Sequence, residues 1–172
     1  MPEKPDSELT ELRRRIRHSA AHVMADIVTR MHPEVRLGIG PPTEDGFYYD
    51  FLSPIALSVD EFKEIESRMK KVIRQNLPFE YHEYPRDKAL QMNADEPLKL
   101  EIINDIPDGE VISTYKHGEF EDLCAGPHVE STGKIPAFKL INVAGAYWRG
   151  DESQPMLQRI YGTAFESKEA MK

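Results

Sequence analysis

One apolar stripe dominates the start of the chain. Leu9, Leu12, Ile16, Ala20, Val23, Ile27 and Met31 recur at about 100° per residue, the period of an α-helix. That period predicts a long helix over residues 7–31, opened by Asp6 or Ser7 as N-cap. His32-Pro33 ends it, because proline disfavours helical backbone in the residue before it. Past Arg17 only Asp26 and Arg30 are charged, and both fall in a narrow wedge at the stripe's edge. His18 and His22 lie on nearly the opposite side, beside Ala21 and Ala25. The second half of the helix is therefore expected to be buried on two sides. Small alanines next to two imidazoles leave room for a pocket.

The period then changes. Val35, Leu37 and Ile39, then Phe47, Tyr49 and Phe51, alternate as strands of a hairpin with Asp45-Gly46 as turn chemistry. Ser58 and Glu61 form a capping box for a helix over about 59–76, with Phe62, Ile65, Met69, Val72 and Ile73 as its core face. Residues 79–84 alternate as a strand, 86–94 read as a short helix, and 97–104 fit either state. The last third is strand-like at 110–116, 120–124, 138–143 and 157–165, and E-S-K-E-A-M-K opens a further helix. Helices followed by clustered strands predict one α+β domain over residues 1–172, an antiparallel β-sheet packed against helices.

Bulk properties narrow the class. The net charge of −8 argues against tight nucleic-acid binding by electrostatics alone, although Arg13, Arg14, Arg15 and Arg17 cluster, as do Lys70, Lys71 and Arg74. Such clusters are most often solvated helix faces. No apolar run is long enough to span a bilayer, so no membrane partner is expected. A single cysteine excludes an internal disulfide, and a reducing cytoplasm is the simplest location.

That cysteine belongs to the chemistry-bearing constellation. H-S-A-A-H supplies His18 and His22, and C-A-G-P-H supplies Cys124 and His128, each pair separated by three residues. On a helix, i and i+4 place both imidazoles on one face. Three histidines and a cysteine are a plausible zinc set. Against that, H-S-A-A-H lacks the glutamate of the hydrolytic H-E-x-x-H motif. Separate buried histidines and an inert thiol are the third possibility. Asp122, two residues before Cys124, shares its strand face and could orient a histidine.

R-H-S-A-A-H, G-I-G-P-P-T-E-D-G-F-Y-Y-D, D-L-C-A-G-P-H, A-G-A-Y-W-R-G-D and M-L-Q-R-I-Y-G-T-A occur in this order over residues 12–170. Together these blocks resemble the editing domain of bacterial threonyl-tRNA synthetases, shared more distantly with alanyl-tRNA synthetases and alanyl deacylases. The resemblance implies hydrolysis of serine wrongly esterified to threonine tRNA. A missing methyl supplies only ~1–3 kcal/mol of discrimination in one pocket, so a second sieve is needed. By the same resemblance His18, His22, Cys124 and His128 are the four site residues, with Asp122 and Lys99 at further matching positions. It casts His18 and Lys99 as the groups that position and activate water, and the other three of the four as pocket walls. Tyr49 is expected to line the adenosine end. Tyr147, Trp148 and Arg149 are candidates for stacking on nucleotide, with core packing the alternative for the tryptophan.

The alanyl relatives use this tetrad for zinc, whereas the threonyl-like flanking blocks imply no metal and no cofactor. The implied partners are the aminoacylated 3′ end of threonine tRNA and the rest of the synthetase, toward which residues 166–172 would start a linker helix. Two alternatives stand beside this expectation: a zinc-dependent alanyl-type deacylase, and a non-catalytic tRNA-binding module.

Overall fold

Helix α1 runs Glu3–Met31 in a computed structural model that describes residues 3–172. It begins before the apolar stripe does, so Asp6 and Ser7 lie within its first turns instead of capping it. Pro5 is compatible with this start, since the first-turn N–H groups have no intrahelical partner to lose. The helix ends one residue before His32-Pro33, as the proline requires.

Ile16, Ala20, Val23, Met24 and Ile27 of α1 join Phe47, Phe51, Leu140 and Ile160 from strands, and Ile65, Met69 and Val72 from a second helix, in one core. Each such aliphatic or aromatic side chain contributes about 1.5–3 kcal/mol on burial. The second helix, α2 (Phe62–Gln75), follows a 3-10 turn over Val59–Glu61. Ser58 and Glu61 make the reciprocal capping box there, and Asn76 closes the helix in the left-handed region.

The strands form two antiparallel sheets where one was expected. Strands β1 (Arg36–Leu37), β2 (Phe47–Leu52), β6 (Ala137–Tyr147) and β7 (Met156–Phe165) make a four-stranded sheet in the order β1-β2-β7-β6. Strands β3 (Glu80–Tyr84), β4 (Ile112–His117) and β5 (Phe120–Leu123) make the second. The division falls at C-A-G-P-H. After Leu123 the chain stops pairing with β4 beyond Cys124 N–H to Ser113 O at 3.0 Å, and crosses to the histidine side of α1. At the far end of that crossing it meets the segment after α2, where Phe79 N–H bonds Glu130 O at 2.9 Å.

The segment that fitted either state is helix α4 (Pro97–Asp105), preceded by α3 (Arg86–Met92). Pro97 sits in the first turn, where its fixed φ suits a helix. Trp148 packs on Leu98 and Leu157 in a small separate core, and its indole N–H donates to Glu101 at 3.1 Å. Arg149 pairs with Asp105 at 2.6 Å. So A-Y-W-R-G-D clamps α4, and Trp148 is core packing, unavailable for stacking on nucleotide. A short helix α5 (Lys168–Met171), capped by Ser167, closes the chain.

Candidate active site

Three pieces of backbone converge on one place. Helix α1 brings His18 and His22, whose ring centroids are 5.1 Å apart. The turn after β5 brings Cys124 and His128, and α4 brings Lys99 toward Asp122 on β5. The rings of His18 and His128 stack at 4.2 Å, and those of His22 and His128 meet edge to face at 4.4 Å. The tetrad is thus one cluster, with one donor atom from each residue within 4.8 Å of the others.

Two glycines permit this approach. Gly126 has φ +81°, a region costly for other residues, and a Cβ there would meet the Tyr115 ring at 2.8 Å. A Cβ at Gly40 would meet the Tyr49 ring at 2.1 Å, which lets the Ile39–Pro42 segment close over the site.

Hydrogen bonds assign the protons. The Pro127 carbonyl, 3.1 Å from His18 Nδ1, can only accept, so Nδ1 carries the hydrogen. That leaves a lone pair on Nε2, which faces Cys124 Sγ at 3.2 Å. Ser19 Oγ accepts from Val129 N–H at 3.0 Å and lies 2.9 Å from His128 Nδ1, which leaves His128 Nε2 facing the cysteine. That nitrogen is 3.4 Å from Sγ, and Gly126 N–H also donates to Sγ at 3.1 Å.

Burial holds the cluster neutral. It pushes His18, His22 and His128 below the ordinary histidine range. For His18, the charge of Arg14 adds to this and the Pro127 carbonyl and Asp122 oppose it. Burial also pushes the Cys124 thiol up to about 12, despite the Gly126 N–H. A thiol donating to His18 Nε2 ties these two residues together, whereas His22 makes no hydrogen bond through either ring nitrogen. His22 Nδ1 is buried without a hydrogen-bond partner.

Behind the tetrad lies a buried ion pair. Lys99 Nζ, on a side chain only 2% exposed, is 2.8 Å from Asp122 Oδ1. The Tyr49 hydroxyl donates to Asp122 Oδ2 at 2.5 Å, and His22 Nε2 stands 3.8 Å from the same oxygen. Tyr49 is 0% exposed and lies beneath the cavity instead of along it. The expectation that it lines the adenosine end is corrected: its alternation in β2 turns it inward, where it anchors the carboxylate.

A cavity of about 280 Å³ opens over these groups. Its walls include His18, His22, Cys124, Lys99, Asp122 and the Ile39–Pro42 segment, with Arg14 at the rim. His128 supports it from behind, stacked on Phe79 at 4.8 Å. A second buried couple escaped the sequence reading: His117 Nε2 bonds Asp26 at 3.0 Å, and Arg30 bonds both Asp26 oxygens. Asp26 was expected at the edge of the stripe. Its pairing with Arg30 at i+4 was legible in the spacing, but the histidine arrives from β4, ninety-one residues away.

Residues 112–161 match the family model described as the threonyl and alanyl tRNA synthetase second additional domain. A threonine–tRNA ligase of Dehalococcoides mccartyi is 52% identical over 98% of this chain, which corresponds to 28% of that protein. Threonine–tRNA ligases of Clostridium tetani and Acetivibrio thermocellus are 51% and 52% identical over 96% and 88% of the chain, covering 27% and 24% of those proteins. The chain therefore spans about a quarter of the length of the curated relatives it matches. The matched block begins in β4 and runs through β5, the Cys124–His128 turn, β6 and most of β7, so it carries half of the tetrad and the clamp on α4. With the tetrad assembled and the identity extending over both of its halves, the chain belongs with the threonyl and alanyl tRNA synthetase second additional domains.

Proposed function

We propose that this chain hydrolyses the aminoacyl ester of serine mischarged on threonine tRNA, acting as the proofreading part of a threonine–tRNA ligase. The observation that carries this reading is His18, its Nδ1 hydrogen committed to Pro127, in the wall of a cavity that also contains the Lys99–Asp122 pair, so that substrate water takes the place of the Cys124 thiol at the basic Nε2. A neutral imidazole is a competent general base near pH 7. His18 Nε2 takes a proton from water as the water oxygen attacks the ester carbonyl. Lys99 Nζ stabilises the oxyanion of the tetrahedral intermediate. The intermediate then collapses, the ribose oxygen leaves with the proton held on His18, and free serine and deacylated tRNA result. Asp122, held by Tyr49, positions Lys99. His22 and Cys124 form the wall that excludes the extra methyl of threonine, with His128 packed behind them. A thiol pushed up to about 12 is a poor nucleophile, so Cys124 serves as a wall and hydrogen-bond donor.

The substrate in this reading is the aminoacylated 3′ end, and the remainder of a synthetase is the partner in cis. No helix among the described residues is long and apolar enough to cross a membrane.

A second reading is favoured by a specific observation. His18, His22, Cys124 and His128 have the donor chemistry and mutual closeness that zinc requires, and His22 Nδ1 lacks a partner. The four residues fit the ion once Sγ loses its proton and the ring nitrogens facing it are free. Bound there, the ion would supply Lewis-acid chemistry in an alanyl-type deacylase. One assay separates the readings: release of amino acid from seryl and threonyl esters of threonine tRNA, with and without chelator. The proposal expects serine release, little threonine release and no effect of chelation. Equal release of both amino acids sinks the sieve, and loss of activity on chelation, with zinc at one per chain, favours the metal.

A further inference from the structure

Four arginines crowd one stretch of α1, and the structure disposes of three of them. Arg13 pairs through two hydrogen bonds, at 2.7 and 2.8 Å, with Glu166. Arg15 pairs with Glu11 at 3.2 Å. Arg17 is buried and donates to the carbonyls of Ala164 and Glu44 at 2.9 and 2.7 Å. Arg14 is exposed and has no hydrogen-bond or ion-pair partner among the described residues.

Its position is what distinguishes it from an ordinary solvated arginine. Arg14 lies one turn before His18 on α1 and forms part of the rim of the His18 cavity. It also lines a neighbouring groove of about 380 Å³, together with Thr10, Arg13, Arg17, Pro42, Thr43 and Glu44. Arg14 and Pro42 are the two residues common to both. The groove therefore runs out of the cavity, lined by three guanidinium groups against the single carboxylate of Glu44.

We infer that Arg14 binds the 5′-phosphate of the terminal nucleotide of the aminoacyl ester, positioning the ester over His18. The inference rests on the aminoacyl-ester reading above. With the amino acid in the cavity, the ribose sits at its mouth and the phosphate lies one ribose further out, where Arg14 stands. Guanidinium suits this task because its fork of N–H donors matches phosphate oxygens. Arg13 and Arg17 have their donors committed to Glu166 and to backbone carbonyls, so Arg14 makes the contact.

The test uses two probes that differ only in the phosphate: the seryl ester of adenosine and the seryl ester of adenosine 5′-monophosphate. The wild-type chain is expected to favour the phosphate-bearing ester about tenfold in kcat/KM, chiefly through KM. In Arg14→Gln that ratio falls to about one, and Arg14→Lys retains part of it. A wild-type ratio near one, or an undiminished ratio in Arg14→Gln with an unaltered thermal melt, overturns the inference. Binding of the corresponding non-hydrolysable seryl amides, with and without phosphate, separates this from failure of the deacylase reading. If wild type hydrolyses neither ester, that reading fails. A tenfold difference in Kd between the amides that vanishes in Arg14→Gln still supports phosphate recognition, and equal Kd values overturn it.

Discussion

His18 Nε2 stands 3.2 Å from the sulfur of Cys124, two atoms contributed by segments 106 residues apart. The contact joins the first half of the tetrad to the second and occupies the basic lone pair of His18, which water must take over from the thiol for His18 to act as the base. Replacing His18 by Ala is expected to lower seryl ester hydrolysis about 10²–10⁴-fold, the range for loss of a general base. Single-turnover deacylation by the folded variant measures this. Retention of more than a tenth of wild-type rate would move the base elsewhere.

The pH dependence follows from the same residue. Burial holds the His18 pKa below its ordinary value, so the base is mostly unprotonated at pH 6.5 and above. The acid limb of kcat/KM is expected to have its midpoint below 6.5. A descending limb centred at or above 6.5 would contradict the assignment.

Stability should respond to acid in a distinct window. His22 and His128 have folded pKa values depressed by burial, so the unfolded chain binds more protons as pH drops below about 6.5. Their contribution is fully present above that value and declines by about 1.4 kcal/mol per pH unit for each buried histidine as pH falls. Urea denaturation from pH 7.5 to 5 checks the slope. The His22→Gln and His128→Gln variants should each flatten it.

Lys99 and Asp122 should behave as a unit. Removing either leaves a buried charge uncompensated, at a cost of about 3–5 kcal/mol. The double substitution Lys99→Met with Asp122→Asn should be less destabilising than the sum of the singles, while remaining inactive. Tyr49→Phe removes only a hydrogen bond to a charged group, about 1.5–3 kcal/mol. Chemical denaturation of the four variants yields the coupling, and strict additivity would argue that the two groups do not interact.

Cys124 should alkylate slowly. With its thiol pushed up to about 12, its reaction with iodoacetamide at pH 8 should be far slower than that of a free cysteine, and should rise through pH 10 without a plateau. A plateau with a midpoint near 8.5 would place the thiol in water.

Much of this architecture is written in local patterns. The apolar stripe of α1, the Ser58–Glu61 capping box and the Asp45-Gly46 turn each depend on residues a few positions apart, so they can be read along the chain. The segment 97–104 could not be read that way. It is a helix because Pro97 starts it and because Trp148 and Arg149 clamp it from across the fold through its own Glu101 and Asp105. Tyr49 illustrates the same limit. Alternation marked it as facing the core or a pocket, but only the arrival of Asp122 beside its hydroxyl decided that it anchors a carboxylate.

The sequence by itself determined the α+β composition, the positions of most elements, and which side chains carry chemistry, because these follow from periodicity, turn residues and residue type. Only the tertiary structure decided that there are two sheets, that Lys99 is buried against Asp122, and that Arg14 alone among its neighbours is left without a partner. Those outcomes depend on contacts between residues far apart in sequence, where burial sets the cost of every unpaired charge, and no local pattern encodes that balance.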